Sequence, residues 1–191
     1  EDMSSAPVKA RSAWLQLFRL PNLLTVPGDP IAGYLLAVAD RAVDPLPLLF
    51  SVAASLCFYG AGLLTNDLAD LAADCRERPE RPLPSGRLSS GAVLVVAGAL
   101  FAAGLVICYA LGGPVRLIGL ALMLSILLYN LGVKRYPYAG AMMMGLCRGF
   151  SLLLGAAATP SGEWYIPQVM ISFDAVVLYV DEPHAIGTPD P

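Results

Sequence analysis

Three long stretches of the chain contain no charged residue, namely 46–64, 91–111 and 117–133. A helix needs about 20 mostly apolar residues to cross the hydrocarbon core of a bilayer. Over the whole chain 14% of the residues are charged and 57% are hydrophobic, whereas a soluble domain typically has about 25% charged residues. The sequence therefore predicts an all-α, polytopic bundle of transmembrane helices.

Three further segments are apolar enough to span a membrane although each contains a charged residue. They are 20–39 with Asp29, 138–158 with Arg148, and 164–180 with Asp174. We therefore predict a single integral membrane domain over residues 1–191 with about six spans. An aspartate-rich loop at 66–90 and a polar tail at 181–191 lie outside the predicted spans.

Basic residues in the predicted loops alternate between the two sides of the membrane. Three basic residues precede the first span, four arginines lie between the second and third, and Lys134 and Arg135 lie between the fourth and fifth. Because Lys and Arg are enriched in cytoplasmic loops, the amino terminus and the loop 66–90 are predicted to be cytoplasmic, with the chain in the cell (plasma) membrane. The expected surroundings are the lipid bilayer, and no nucleic-acid partner is expected.

The loop after the second span begins with three aspartates at a fixed spacing. Asp67, Asp70 and Asp74 stand at i, i+3 and i+7, which places them within about 60° of one another on a helix. Three carboxylates on one face repel each other unless a cation lies between them, and Mg²⁺ prefers carboxylates together with waters and substrate phosphates. Arginines suited to the remaining phosphate oxygens follow, at Arg76, Arg78, Arg81 and Arg87. The pattern predicts a magnesium–diphosphate site at the membrane surface.

The motif Asn-Asp-x-x-Asp-x-x-x-Asp from Asn66, followed by the run RPLPSG from Arg81 to Gly86, resembles the first aspartate-rich motif of the UbiA superfamily of intramembrane prenyltransferases, which includes 4-hydroxybenzoate polyprenyltransferases. The resemblance implies a Mg²⁺-dependent enzyme that transfers a prenyl group from a prenyl diphosphate to an aromatic or related acceptor. By this resemblance the catalytic and metal-binding residues are Asp67, Asp70 and Asp74. The diphosphate-binding residues are Asn66, Arg81, Lys134 and Arg135, with Lys134 the better match of the two adjacent basic residues.

Three polar residues are candidates for the acceptor side of the site: Asn22, Asp29 and Arg148. Asp29 lies in the sequence TVPGDP, where two prolines and a glycine break the first span, and broken helices at membrane depth are tolerated where they line a cavity. A lone arginine within a span needs a partner or a water-filled cavity. A structural ion pair between Asp29 and Arg148 explains both residues as well as a role in binding does.

The chain departs from the family pattern near its end. Family members have about nine spans and a second aspartate-rich motif after the sixth. Asp181 and Glu182 lie where that motif would begin, but the DxxxD spacing is absent. The resemblance covers about residues 14–160, so the expected fold is an incomplete nine-span prenyltransferase. The alternative is a catalytically silent or truncated membrane scaffold, and self-association of two chains would supply a second set of carboxylates.

Overall fold

The described part of the chain, residues 13–19, 23–39 and 41–159 of a computed structural model, is built from α-helices. The helices are α1 (Gly28–Val38), α2 (Pro45–Ala69), α3 (Leu71–Glu77), α4 (Ser90–Leu111), α5 (Val115–Leu131) and α6 (Pro137–Ala157), with a 3-10 helix at Val133–Arg135 before α6. Residues 13–17 are also helical. No strand occurs among the described residues, and the predicted all-α fold is confirmed.

Three of the described helices, α2, α4 and α6, are long and apolar enough to cross a membrane. Helix α5 is also apolar but has 17 residues, a length of about 26 Å at 1.5 Å per residue. These four helices overlap the second to fifth predicted spans. The sixth predicted span, 164–180, and the polar tail 181–191 lie outside the described residues.

Within the first predicted span, 20–39, the described residues 23–39 contain one short helix preceded by turns. Helix α1 begins at Gly28, and residues 24–27 form turns. Pro27 is the N-cap and Pro30 lies in the first turn, where a missing N–H costs no intrahelical hydrogen bond. Because it has 11 residues, α1 is about 16 Å long, about half the thickness of the hydrocarbon core.

Small residues allow the long helices to approach closely. A Cβ atom at Gly104 of α4 would lie 3.0 Å from the ring of Phe58 on α2, and the Phe58 and Phe101 ring centroids are 6.4 Å apart. Gly119 of α5 likewise faces the side chain of Cys108 on α4. Helices in membranes commonly pack through small residues in this way, and these contacts join α2, α4 and α5.

The backbones of α1 and α6 approach each other closely. A Cβ atom at Gly33 would overlap the carbonyl group of Leu152, and one at Gly155 would overlap the carbonyl group of Pro30. All four residues lie in α1 or α6, and no side chain separates the two helices at these points. The broken first segment is thereby held against the last described helix.

Polar side chains attach α2 to the two neighbouring helices α5 and α6. The hydroxyl groups of Ser55 on α2 and Ser151 on α6 are 2.7 Å apart and buried. The amide nitrogen of Asn130 on α5 donates to the carbonyl oxygen of Gly62 at 3.0 Å and to the hydroxyl of Thr65 at 2.7 Å. Buried hydrogen bonds of this kind fix the relative positions of helices in an apolar surrounding, and here they frame a cavity described below.

The cap of α4 provides a test of local stability. The Ser89 hydroxyl accepts a hydrogen bond from the backbone N–H of Ala92 at 3.2 Å. We expect Ser89→Ala to lower the free energy of unfolding by about 1 kcal/mol, the usual cost of losing an N-cap side chain. Unfolding in mixed detergent micelles measures the change. Ser90→Ala, at the next exposed position, is the control and should leave stability within about 0.5 kcal/mol; equal losses would contradict the capping role.

Candidate active site

The first motif aspartate, Asp67, lies in the last turn of α2 and is 7% exposed. One carboxylate oxygen is 3.1 Å from Nη2 of Arg19, which comes from the segment before α1. The backbone φ of Arg19 is +44°, a left-handed conformation that is uncommon for residues other than glycine. Unusual backbone conformations of this kind concentrate at functional sites, so Arg19 belongs to the candidate site.

The second motif aspartate, Asp70, lies at the junction between α2 and α3. Its Oδ1 is 2.6 Å from Nζ of Lys134, and its Oδ2 accepts a hydrogen bond of 3.2 Å from the amide of Asn66. Nζ of Lys134 also donates to Oδ1 of Asn66 at 2.9 Å. Three residues that the sequence assigned to metal and diphosphate binding therefore form one hydrogen-bonded cluster.

The third motif aspartate, Asp74, is a buried residue of α3. Its Oδ2 is 2.7 Å from Nη1 of Arg81, the first residue of the RPLPSG run. That run folds back on itself, because Ser85 N donates to the Arg81 carbonyl and Gly86 takes a positive φ of 73°. A turn that requires a left-handed residue favours glycine, and this turn holds Arg81 beside α3.

The spacing argument assumed one continuous helix through the three aspartates, and the helix is interrupted at Asp70. Helix α2 ends at Ala69 and α3 begins at Leu71, with Asp70 between them. Each carboxylate forms an ion pair with a different cation: Asp67 with Arg19, Asp70 with Lys134 and Asp74 with Arg81. Within the described residues no group of three or more His, Cys, Asp or Glu side chains is placed to hold a metal ion.

The donor chemistry of the motif nevertheless fits Mg²⁺. Asp67, Asp70 and Asp74 supply hard carboxylate oxygens, and Asn66 adds an amide oxygen, which are the ligand types that Mg²⁺ prefers. Each carboxylate is paired with one arginine or lysine. A metal ion binding there would take the place of these protein cations, which would then be available to an anion.

Two cavities, each of about 460 Å³, meet at Arg19. The first is lined mainly by polar side chains, three of which are arginines. Its lining residues are Gln16, Leu17, Arg19, Asp67, Glu80, Arg81, Pro82 and Arg87. The second runs between α1, α2, α5 and α6 and includes Asn66 and Asn130 as well as apolar side chains such as Phe58, Leu122 and Ile126. Volumes of this size are typical of small-molecule sites, about 300 to 1,000 Å³.

The acceptor-side candidates have different positions. Asp29 and Arg148 both line the second cavity and form a two-hydrogen-bond ion pair, with Nη2 to Oδ1 at 2.8 Å and Nε to Oδ2 at 3.2 Å. Asn22 lies outside the described residues. Arg135 is exposed and forms none of the ion pairs found in the described part of the chain, in contrast to Lys134.

Sequence reasoning missed two residues of this arrangement. It used Arg19 only for membrane orientation, because no local pattern relates this arginine to Asp67, which is 48 residues away. It also left Asn130 without a role, although a polar amide within an otherwise uncharged run was a usable signal. Asn130 connects α5 to α2 one turn before the Asn66 cluster.

Several known proteins with similar sequences have the same name. The digeranylgeranylglyceryl phosphate synthase of Sulfolobus acidocaldarius is 33% identical over 165 residues, covering 84% of this chain and 58% of the relative. The synthase of the same name from Methanosarcina barkeri is 31% identical over 155 residues, covering 75% of this chain and 54% of the relative. The chain therefore spans a little over half the length of these curated relatives.

A solved structure from work on digeranylgeranylglyceryl phosphate synthase in membranes has a similar fold. Its TM-score is 0.74 at 26% sequence identity, covering 85% of this chain and 57% of that chain. Together with the span-length helices, this similarity identifies an integral membrane protein. The UbiA prenyltransferase family matches residues 30–180, which include the whole aspartate-rich motif and the RPLPSG run. The resemblance is thereby confirmed, and the chain belongs to the UbiA prenyltransferase family.

Proposed function

We propose that this chain binds a prenyl diphosphate and transfers its prenyl group to an acceptor within the membrane. The observation that carries the proposal is the cluster of Asn66, Asp70 and Lys134, with nitrogen–oxygen distances of 2.6 to 3.2 Å. It lies at the end of α2, where Asn66 also lines the largely apolar second cavity. A molecule with a charged diphosphate and an apolar chain matches this arrangement, with the diphosphate at the charged cluster and the chain in the apolar cavity.

The site residues would act on the diphosphate through charge. Mg²⁺ held by Asp67, Asp70 and Asp74 would neutralise the leaving diphosphate. The paired cations Arg19, Arg81 and Lys134 would donate to the phosphate oxygens, since charge-assisted hydrogen bonds to phosphate are among the strongest in proteins. Asn66 would orient Lys134 through its amide oxygen, and Arg135 would contribute to the electrostatic attraction of the donor.

The prenyl chain would occupy the apolar part of the second cavity, and the acceptor would lie on the side of Asp29, Arg148 and Asn22. Two acceptor classes agree with what is known of similar proteins. The resemblance implies an aromatic or related acceptor, whereas the relatives' name describes a glyceryl phosphate with two geranylgeranyl groups. Mixed polar and apolar walls accept either class.

The distribution of basic residues supports a cytoplasmic donor site at the cell (plasma) membrane. Arg19 and Lys134 pair with acids at the carboxyl end of α2, and Arg81 pairs with Asp74 in the adjoining helix α3. Under the positive-inside rule this end of the bundle faces the cytoplasm, together with the amino terminus. Prenyl diphosphates with a water-exposed headgroup would then enter from the cytoplasmic side, and self-association would be a route to a second set of carboxylates.

Donor binding tests the proposal. We expect radiolabelled geranylgeranyl diphosphate to bind the detergent-purified chain only with Mg²⁺. Asp70→Asn should weaken binding at least tenfold, about 1.4 kcal/mol, because it removes the charge that pairs with Lys134 or a metal.

The matched control is Asp44→Asn at the other end of α2. Asn is as good an N-cap as Asp, and Asp44 caps α2 through the N–H of Leu46, so this variant should bind like the parent. If the parent chain binds no donor with Mg²⁺, the alternative of a catalytically silent scaffold replaces the proposal.

A further inference from the structure

The ion pair between Asp29 and Arg148 connects α1 to α6 across the wall of the second cavity. Nη2 and Nε of Arg148 each donate to a different carboxylate oxygen, at 2.8 and 3.2 Å. Ionisable residues at membrane depth are expensive and usually serve a function. Asp29 lies in the first turn of α1.

The pair is open to the cavity. The Arg148 side chain is 71% exposed and that of Asp29 is 22% exposed. A guanidinium has five N–H donors, and the contact with Asp29 engages two of its nitrogens, so donors remain for a ligand. The hydroxyl groups of Ser55 and Ser151, paired at 2.7 Å, and the side chain of Tyr59 line the same cavity.

We propose that the Asp29–Arg148 pair is the subsite for the nucleophilic group of the acceptor, that this group is an alcohol hydroxyl, and that Asp29 receives its proton. This inference rests on the proposed prenyl transfer. In the step, the hydroxyl oxygen forms a bond to the allylic carbon while the bond from that carbon to the diphosphate oxygen breaks. The diphosphate leaves with the bonding electron pair, and the hydroxyl proton moves to the Asp29 carboxylate.

The charge of the pair favours a hydroxyl over an anionic group. Because Asp29 neutralises Arg148, the pair has no net charge with which to attract a carboxylate or phosphate. It does present acceptor lone pairs and free N–H donors side by side, and a hydroxyl is both a donor and an acceptor at a single atom. Any anionic part of the acceptor would instead lie toward Arg19, which lines both cavities.

A strong base is not required for this role. As the new carbon–oxygen bond forms, the attacking oxygen gains positive charge and its proton becomes strongly acidic. A weak base in contact with that oxygen can then take the proton, and general bases positioned in this way contribute typically 10²- to 10⁴-fold to a rate.

Recognition is tested by equilibrium binding to the full chain in detergent. The probes are radiolabelled geranylgeranylglyceryl phosphate and the same molecule with its free hydroxyl methylated. We expect the parent to prefer the hydroxyl probe at least tenfold and the double variant Asp29→Asn/Arg148→Gln to lose that preference. The double variant replaces the ion pair by two amides that can still hydrogen-bond, so it preserves the contact between α1 and α6. Equal binding of both probes by the parent would overturn the inference.

Proton transfer is tested by the rate of prenyl transfer from geranylgeranyl diphosphate, measured beside donor binding. We expect Asp29→Asn to lower the transfer rate at least 100-fold while donor affinity stays within threefold of the parent, and Asp29→Glu to recover part of the rate. Transfer by Asp29→Asn at the parental rate would overturn the role of Asp29 and leave the prenyltransferase proposal intact. A parent chain that binds no donor would overturn both.

Discussion

Replacing Gly155 with alanine is expected to lower the free energy of unfolding by about 3 kcal/mol or more, the upper part of the range for overpacked interiors. The added methyl group would overlap the backbone carbonyl of Pro30, which is a part of α1 and cannot rotate out of the way as a flexible side chain could. The helices would have to separate at their closest contact, and the Asp29–Arg148 pair at the same interface would be disturbed. Unfolding in mixed detergent micelles gives the stability.

Gly149→Ala is the matched control on the same helix. Nothing lies within 4 Å of a Cβ atom at Gly149, and alanine is the better helix former by about 1 kcal/mol. This variant should therefore be as stable as the parent or slightly more stable. Equal destabilisation by the two substitutions would show that the contact between Gly155 and Pro30 does not hold α1 against α6.

Substitution of Lys134 by glutamine is expected to weaken the binding of geranylgeranyl diphosphate about 30-fold or more. Lys134 is the only side chain in the described residues that contacts both Asn66 and Asp70 through one charged group. The Lys134 side chain is 17% exposed and that of Asp70 is 37% exposed, and loss of one partner from such a partly buried pair costs about 2 kcal/mol, which is about 30-fold in Kd. Mg²⁺-dependent equilibrium binding of the radiolabelled donor measures the effect.

Arg135→Gln removes the same charge from the next residue and serves as the control. Because Arg135 is exposed, its charge is screened by solvent and salt, and surface pairs typically contribute no more than about 1 kcal/mol. Donor affinity should fall less than about fivefold. If Arg135→Gln were as damaging as Lys134→Gln, the effect would come from net basic charge near the membrane surface and not from the contact with Asp70.

The long helices could be predicted because their cause is local. An uncharged run such as 91–111 is long enough to cross a bilayer as a single helix. Helix α4, at Ser90–Leu111, coincides with that run. The start of α1 was harder to predict, because it depends on where Pro27 and Pro30 are tolerated in a helix. Proline is compatible with a helix start, and the chain begins α1 at Gly28, so composition alone overestimated the helix length.

The sequence could suggest which residues belong together but not how they are arranged. The aspartate motif and the family resemblance assigned Asp70 and Lys134 to one site, and the structure brings these two side chains into contact. The spacing i, i+3, i+7 gives a common face only if a single helix continues, and the chain instead has a helix boundary at Asp70. Arg19 reaches Asp67 through the path of the chain before α1, and no sequence pattern encodes that path.

The glycine contacts between α1 and α6 also determine what can pass through this wall of the cavity. A barrier made of side chains opens when those side chains change rotamer, which takes nanoseconds or less at exposed positions. At Gly33 and Gly155 the opposing surface is backbone carbonyl, and neither helix has a rotamer change that creates space there. Passage between α1 and α6 at this level is therefore closed to prenyl chains, lipids and water unless one whole helix moves away from the other.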